Sequence, residues 1–347
     1  NKKFGRTVIK SDKRFTYEEA QEIMDAGAGL FYNELTELNR LAKIYTEYRF
    51  THGALSLDSE EVKFRLDENG VPIDVYVKER KDVHRMIEEW MLLANRYVSE
   101  YITRSAPDAI CIYRIHAKPD SDKMHELDLF IRSMGYIVKV EDGLIPSAEL
   151  NDLLEKLKGL PAKDLLQVKI ARSMQKAMYS TDNVGHYGLA FEFYSHFTSP
   201  IRRYPDVLCH RLLQRALDGS PARVDEKHAL DKLCILASSR EKEAADAERG
   251  SIKYKQVQYM SMRIGNVMTG VVSGVSEWGL YVEEETSKSE GFIRLRGLGD
   301  DFYVYNKLKG SIIGERTGEE FHIGDKLKIK VDNANLDLRQ IDYSRVR

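Results

Sequence analysis

The chain has 347 residues, enough for two or three domains and a sizeable core. With 42% hydrophobic and 31% charged residues it is not a disordered chain, and apolar runs of four or five residues, such as Met91–Ala94, fall far short of the roughly 20 needed to cross a bilayer. Lys plus Arg is 53 against 55 Asp plus Glu, a formal charge of −2 that gives no global sign of a nucleic-acid partner. Cys111, Cys209 and Cys234 are an odd set without C-x-x-C, which argues against a disulfide framework and a zinc knuckle. No basic-then-apolar signal peptide opens the sequence, so a cytoplasmic protein with no membrane role is expected.

Asn1 is not Met, and Asn1–Lys10 carries no cap or turn signal; it reads as the tail of a strand or loop within a longer protein. Thr16 with Glu19 has capping-box spacing and predicts a helix over Thr16–Ala26. Leu35, Leu38, Leu41, Ala42 and Tyr45 predict a second helix over Leu30–Phe50. Alternation predicts strands at Ala54–Leu57, Val62–Leu66 and Ile73–Val77, with Asn69-Gly70 turning the last two into a hairpin. Val83, Met86, Ile87, Trp90, Met91, Ala94 and Val98 form a stripe of helical period and predict a helix over Asp82–Ile102.

A strand is expected at Ala109–Ile115, a helix at Ser121–Met134 and a short strand at Ile137–Val140. Helices follow at Ser147–Lys158 and Lys163–Met178, separated by the breaker Gly159-Leu160-Pro161. His186–Tyr194 alternates Tyr187, Leu189, Phe191 and Phe193 and reads as a strand. A long helical region from Ser199 to about Met262 is broken near Gly219–Ala222. After Arg263 the sequence turns β-rich, with Val267–Val272, Gly279–Val282, Gly291–Leu295, Phe302–Tyr305 and Lys326–Val331 as five short strands of a small barrel.

Gly265-Asn266-Val267, Gly270-Val271-Val272, Trp278-Gly279-Leu280-Tyr281-Val282 and Glu290-Gly291-Phe292-Ile293-Arg294, in that order, resemble the S1-type RNA-binding domain, an OB-fold. Trp278, Tyr281 and Phe292 would offer ring faces to bases, with stacking worth about 1–3 kcal/mol per base. Arg294 can stack and also pair with phosphate. The alternative is that these aromatics fill the barrel core. From Ile264 to Arg347 there are 12 Lys/Arg and 14 Asp/Glu, so an RNA surface here must be local and lean on stacking.

The richest stretch is His186-Tyr187-Gly188-Leu189, Tyr194-Ser195-His196-Phe197-Thr198-Ser199-Pro200-Ile201-Arg202-Arg203-Tyr204-Pro205-Asp206 and His210-Arg211-Leu212. Ser199-Pro200 has the form of a cap followed by Pro at the first helical position, which would set Arg202 and Arg203 among free backbone N–H groups where an anion is favoured. Pro205 offers another start, leaving both arginines in a preceding tight turn. The bland alternative pairs them with acidic neighbours such as Asp206.

This segment resembles the signature of the ribonuclease II / ribonuclease R family of processive 3′→5′ exoribonucleases, which carry the RNB catalytic domain. Other stretches match in order: Phe4–Ile9, Thr16–Gln21, Arg49 with His52-Gly53-Ala54, Ile87–Met91 with Ala94-Asn95, and Tyr113–His116 with Lys118-Pro119. The resemblance implies an α+β fold: the C-terminal part of an RNB domain over residues 1–262, helix-rich with antiparallel strands, then an all-β S1-type OB-fold barrel over 263–347. The arrangement is more similar to the bacterial ribonuclease R branch.

On that resemblance, Arg202 matches the arginine near the scissile phosphate and Glu248 a glutamate near the 3′-terminal nucleotide; both are candidate catalytic residues. Phe4 matches an aromatic that clamps terminal bases, with a core Phe as its alternative, and Arg203 joins Trp278, Tyr281, Phe292 and Arg294 as candidate RNA contacts. Glu88 and Asn95 either line the cavity or form a structural network. His116, His186, His196 and His210 fit no compact ligand set and read as structural. The family holds magnesium with an aspartate cluster, but no D-x-D-D occurs here: Asp300-Asp301 lies in the barrel and Asp332 with Asp337 is too diffuse. The expectation is therefore a fragment, inactive alone, of a monomeric Mg²⁺-dependent exoribonuclease that releases nucleoside 5′-monophosphates from single-stranded or structured RNA, its metal ligands lying outside this chain. A non-catalytic RNA-binding protein derived from such an enzyme is the rival reading.

Overall fold

The computed structural model describes residues 2–57, 61–307 and 310–346; Asn1 lies outside them. Helix α1 (Tyr17–Ala26) starts where the capping box places it: Thr16 Oγ1 accepts the Glu19 N–H and Glu19 accepts the Thr16 N–H. Helix α2 (Tyr32–Thr51) leads to the hairpin of β1 (Glu61–Leu66) and β2 (Pro72–Lys78). Asp67 Oδ1 accepts the N–H groups of Asn69 and Val71 and so shapes the turn that Asn69-Gly70 predicts. Ala54–Leu57 is not a strand. The consecutive residues Ala54 and Leu55 are both buried, in a loop whose backbone is satisfied by the side chain of Asn151 and by the carbonyls of Arg49 and Gly188.

Helix α3 (Asp82–Arg104) buries Val83, Met86, Leu92, Val98 and Ile102 along one stripe. The strand expected at Ala109–Ile115 shrinks to β3 (Tyr113–Ile115). Helices α4 (Ser121–Ser133), α5 (Ser147–Lys156) and α6 (Pro161–Ser173) pack together around Ile131, Leu150, Leu166 and Ile170. Helix α6 begins at Pro161 and ends earlier than expected, because residues 178–180 form β4 (Met178–Ser180) antiparallel to β3. Ile137–Val140 forms no strand.

His186–Tyr194 is also not a strand. His186 caps a single 3₁₀ turn at Tyr187–Leu189, and Ala190 turns the chain back at φ 55°, so that the His186 N–H meets the Phe191 carbonyl. A Cβ on Gly188 would lie 3.0 Å from the His116 ring, so glycine permits this close approach. Helix α7 (Tyr204–Leu217) starts with Pro205 in its first turn, which leaves Arg202 and Arg203 in the preceding turn. Helix α8 (Lys227–Ser261) is the longest, at 35 residues.

Strands β5 (Val267–Ser276), β6 (Gly279–Glu284) and β7 (Glu290–Arg294) precede a small antiparallel sheet of β8 (Tyr303–Asn306), β9 (Ser311–Gly314) and β10 (Glu320–Phe321). Strands β11 (Lys326–Asn335) and β12 (Gln340–Val346) then close a five-stranded barrel in the order β11-β12-β7-β6-β5. The expected strand at 302–305 therefore lies outside the barrel, and β12, which the sequence reading missed, takes its place. Its Ile341 and Tyr343 point inward with the alternation of any barrel strand. The barrel core is continuous with the rest of the molecule: Val257, Tyr259 and Met260 of α8 and Val75 of the hairpin join Leu280, Ile293, Ile329 and Val331 in one cluster. Burying Val257 and Met260 completely is worth about 1.5–3 kcal/mol each, which anchors the barrel to α8. Lys253 Nζ adds a hydrogen bond to the Glu290 carbonyl at 2.6 Å.

Candidate nucleic-acid interface

The loop between Tyr194 and Arg203 is held by two buried side chains from different helices. Asn95 of α3 accepts the N–H groups of Phe197 and Thr198 at 3.0 and 3.2 Å, and its amide donates to the Tyr194 hydroxyl at 3.3 Å. Asp206 of α7, fully buried, accepts the Ser199 N–H at 2.7 Å and a two-pronged pairing from Arg203 at 2.8 Å on each prong. Of the alternatives for the arginine pair, Arg203 thus takes the acidic neighbour. It was expected at the RNA, but its fork is spent on Asp206. Arg202 is exposed, beside the fully exposed Ile201, and among the described residues its guanidinium has no hydrogen-bond or ion-pair partner. A tight turn thus presents one arginine and retains the other.

Behind this loop lies a second layer. The Tyr179 hydroxyl is 2.7 Å from His196 Nδ1, and the Arg114 guanidinium lies 4.7 Å from the Tyr179 ring while pairing with Glu241 of α8 at 2.5 Å. Burial, reinforced by Arg203 and Arg114, pushes the His196 pKa down to about 3. Burial and the nearby His116 do the same for His186, also to about 3. These rings are neutral at physiological pH. His116 Nδ1 accepts the Gly188 N–H at 3.1 Å, and His210 Nε2 lies 3.0 Å from the Phe197 carbonyl with the two rings stacked at 4.0 Å. All four histidines hold structure. Glu248 lies two turns beyond Glu241 on the same face of α8 and is exposed; no hydrogen bond or ion pair among the described residues joins it to Arg202.

Phe4 packs its ring 4.5 Å from Tyr101 and lies half-buried against the cluster around Val98 and Ile102. Glu88 pairs with Arg80 at 2.7 Å on the rim of a cleft of about 640 Å³ between α2 and α3. Deeper in this cleft is a feature the sequence reading missed: Arg49 and Glu89 form a buried ion pair at 3.0 Å, with Thr46 donating to the same carboxylate.

On the barrel, Leu280, Val282 and Ile293 point inward, so Tyr281 and Phe292 point outward. They are direct cross-strand partners with ring centroids 5.0 Å apart. Trp278, in the turn before β6, is 71% exposed, which removes it from the core. Arg294 is exposed opposite Gly279, which has no side chain to cover it. A Cβ on Gly279 would fall 2.0 Å from the Ile293 carbonyl oxygen. The four candidate residues of the barrel therefore share β6, β7 and the turn that enters them.

No group of three or more His, Cys, Asp or Glu among the described residues is placed to hold a metal ion. Asp301, the acid nearest in sequence to a paired-aspartate pattern, spends its carboxylate on the Thr317 hydroxyl and on the N–H groups of Phe302, Arg316 and Thr317; these hydrogen bonds pull its pKa down to about 2. The described residues therefore do not fit a magnesium centre, and no chemical step through the metal is derived from them. No helix among the described residues is long and apolar enough to cross a membrane.

Residues 1–219 match the RNB domain and residues 261–345 the S1 RNA binding domain. Ribonuclease R of Thermotoga maritima is 36% identical over 348 residues, covering 97% of this chain and 48% of that protein. The chain spans about half the length of the curated relatives it matches. Among solved structures, the apo form of Mycoplasma genitalium RNase R overlays with a TM-score of 0.88 at 24% identity, covering 96% of this chain and 53% of that one. The same enzyme in complex with ribose methylated single-stranded RNA gives a TM-score of 0.86 at 24% identity, covering 96% and 53%. These two likenesses establish a common fold.

Proposed function

The chain belongs to the RNB-domain family, and on that premise we propose that it forms part of a processive 3′→5′ exoribonuclease that hydrolyses single-stranded RNA to nucleoside 5′-monophosphates. In this reading Arg202 meets the charge that grows on the scissile phosphate, the barrel face around Trp278 and Tyr281 grips the incoming strand, and Glu248 lies toward the terminal nucleotide. Magnesium would be held by an aspartate cluster outside residues 1–347. The observation that carries the reading is the exposed Arg202, unpartnered among the described residues, on a loop fixed at both ends by buried Asn95 and Asp206. Donors fixed in advance at the site of developing charge are among the largest contributors to catalysis.

The test compares residues 1–347 alone with the same residues joined to their natural upstream sequence, each with Mg²⁺ and a 5′-labelled oligoribonucleotide. Shortening from the 3′ end by the joined protein and none by residues 1–347 is the expected result. Processive shortening by residues 1–347 alone would overturn the placement of the metal site. A joined protein that binds RNA without cleaving it would replace this reading with a non-catalytic RNA-binding protein.

A further inference from the structure

We propose that Asp206 is a positioning residue for Arg202, and that Arg203 serves as its counter-charge and not as a second RNA contact; this rests on the reading of Arg202 given above. Both oxygens of the Asp206 carboxylate are in use. Oδ1 accepts the Ser199 N–H and one prong of Arg203, and Oδ2 accepts the other prong. Ser199 and Arg203 flank Arg202, and the Arg203 N–H closes the turn on the Ser199 carbonyl at 3.1 Å. One carboxylate therefore pins the chain on both sides of Arg202.

The pin itself is rigid. Asp206 is fully buried in the first turn of α7, where acidic groups also suit the helix dipole, and the turn is packed through Leu208, Cys209 and Leu212. Adjacent guanidinium groups repel, and pairing Arg203 with Asp206 removes that repulsion from Arg202. The result is a guanidinium without a partner among the described residues, on a turn held on both sides by one buried carboxylate. Without the carboxylate, Arg202 would keep its charge and lose its place. A misplacement of about 1 Å at a reacting centre can cost on the order of 10²-fold in rate.

Single-turnover cleavage and equilibrium RNA binding of the full-length protein test this, using Asp206→Asn, Arg203→Lys and Arg202→Ala, and each of the first two combined with Arg202→Ala. Asparagine keeps an acceptor for Ser199 but loses the charge for Arg203, and lysine keeps the charge but cannot form the fork. Asp206→Asn and Arg203→Lys are expected to slow cleavage, by about 10²-fold for the former, with RNA affinity nearly unchanged. Combined with Arg202→Ala, neither should slow it further, because the arginine they position is gone. A role confined to stability predicts effects on cleavage that multiply with those of Arg202→Ala; a lower melting temperature is expected in either case and does not discriminate. Multiplying effects, or parental cleavage by both single variants, would overturn the proposal. If Asp206→Asn does not fold, Arg203→Lys with its double variant decides alone. Parental cleavage by Arg202→Ala would instead overturn the reading of Arg202 itself.

Discussion

The ring of Tyr281 on β6 lies 5.0 Å from that of Phe292 on β7, and the two residues are direct partners across the strand pair. The pair is flanked by a bare backbone: a Cβ on Gly274 of β5 would lie 3.3 Å from the Tyr281 ring, so glycine leaves that ring room to lie flat against the sheet. With Trp278 exposed at the neighbouring turn, the barrel presents an aromatic platform in a domain whose net charge gives little electrostatic pull. Replacing Trp278 and Tyr281 together with alanine is therefore expected to weaken single-stranded RNA binding by about 2–4 kcal/mol. The loss should be similar at low and high salt, because stacking releases few counterions. Titrations at two salt concentrations, with circular dichroism to confirm the folded barrel, check this. Parental affinity in the double variant would leave the platform idle.

Two glycines on this barrel separate folding from binding. At Gly279 a Cβ would run into the Ile293 carbonyl oxygen, which is backbone and cannot move aside; the glycine's φ of 149° is unfavourable for other residues as well. Gly279→Ala is expected to destabilise the protein by about 3 kcal/mol or more, read as a lower urea midpoint. Gly274→Ala meets only the flat of a side chain that can tilt. Its stability should stay within about 1 kcal/mol of the parent, while RNA binding falls as the Tyr281 ring is displaced. Equal destabilisation by the two changes would contradict this division.

Local chemistry was legible in the sequence and long-range pairing was not. The capping box at Thr16, the Asn69-Gly70 turn and helix α3 each depend on residues within a turn or two of one another, and each lies where the pattern puts it; the buried face of α3 is turned from the expected stripe, with Leu92 and Asn95 buried and Ile87 exposed. The alternation at His186–Tyr194 misled because the chain folds back through a 3₁₀ turn and Ala190 at φ 55°, leaving Tyr187, Leu189 and Phe193 half-buried and only Phe191 and Tyr194 in the core. The barrel was recognisable from three strand motifs, yet β12 was missed: the alternation in Gln340–Val346 rests on Ile341 and Tyr343 alone, and pairing with β11 and β7 defines the strand. Arg203 and Asp206 are three residues apart, a spacing that brings side chains together on a helix, so their pairing could be weighed in advance. Arg114 and Glu241 are 127 residues apart, and no local signal links them.

Arg202 and Arg203 should respond oppositely to truncation. On the proposed reading, Arg202→Ala in the full-length protein is expected to slow single-turnover cleavage by about 10²–10³ with little change in RNA affinity or melting temperature, since it would remove one transition-state contact among many ground-state ones. Arg203→Ala strands a buried carboxylate and should destabilise by about 3–5 kcal/mol. Cleavage, binding and thermal melting measured on both variants check the contrast. An Arg202→Ala protein that cleaves normally but binds RNA far more weakly would make Arg202 an anchor.

Acid should loosen this region before it protonates most carboxylates. His186 and His196 have folded-state pKa values of about 3, against 6.5 for an unhindered histidine, because burial disfavours the charged ring. Between those values the unfolded chain binds protons that the folded protein does not, so stability rises with pH across the window. The contribution is therefore complete above pH 6.5 and lost progressively as pH falls toward 3. At pH 5 the loss is on the order of 1–2 kcal/mol per histidine. Burial shifts His84 and His116 downward too, and they act with the same sign. Asp301, pulled down to about 2, loses its contribution only below the ordinary carboxylate range, so it does not account for a decline that begins near pH 6.5. Urea unfolding at pH 7.5, 6.0 and 5.0 should show this decline in the parent protein. A His186→Gln/His196→Gln variant is expected to start lower at pH 7.5, having lost the contacts to Leu189 and Tyr179, and then to fall less steeply, because glutamine does not titrate. An unchanged slope in that variant would assign the acid sensitivity to other groups.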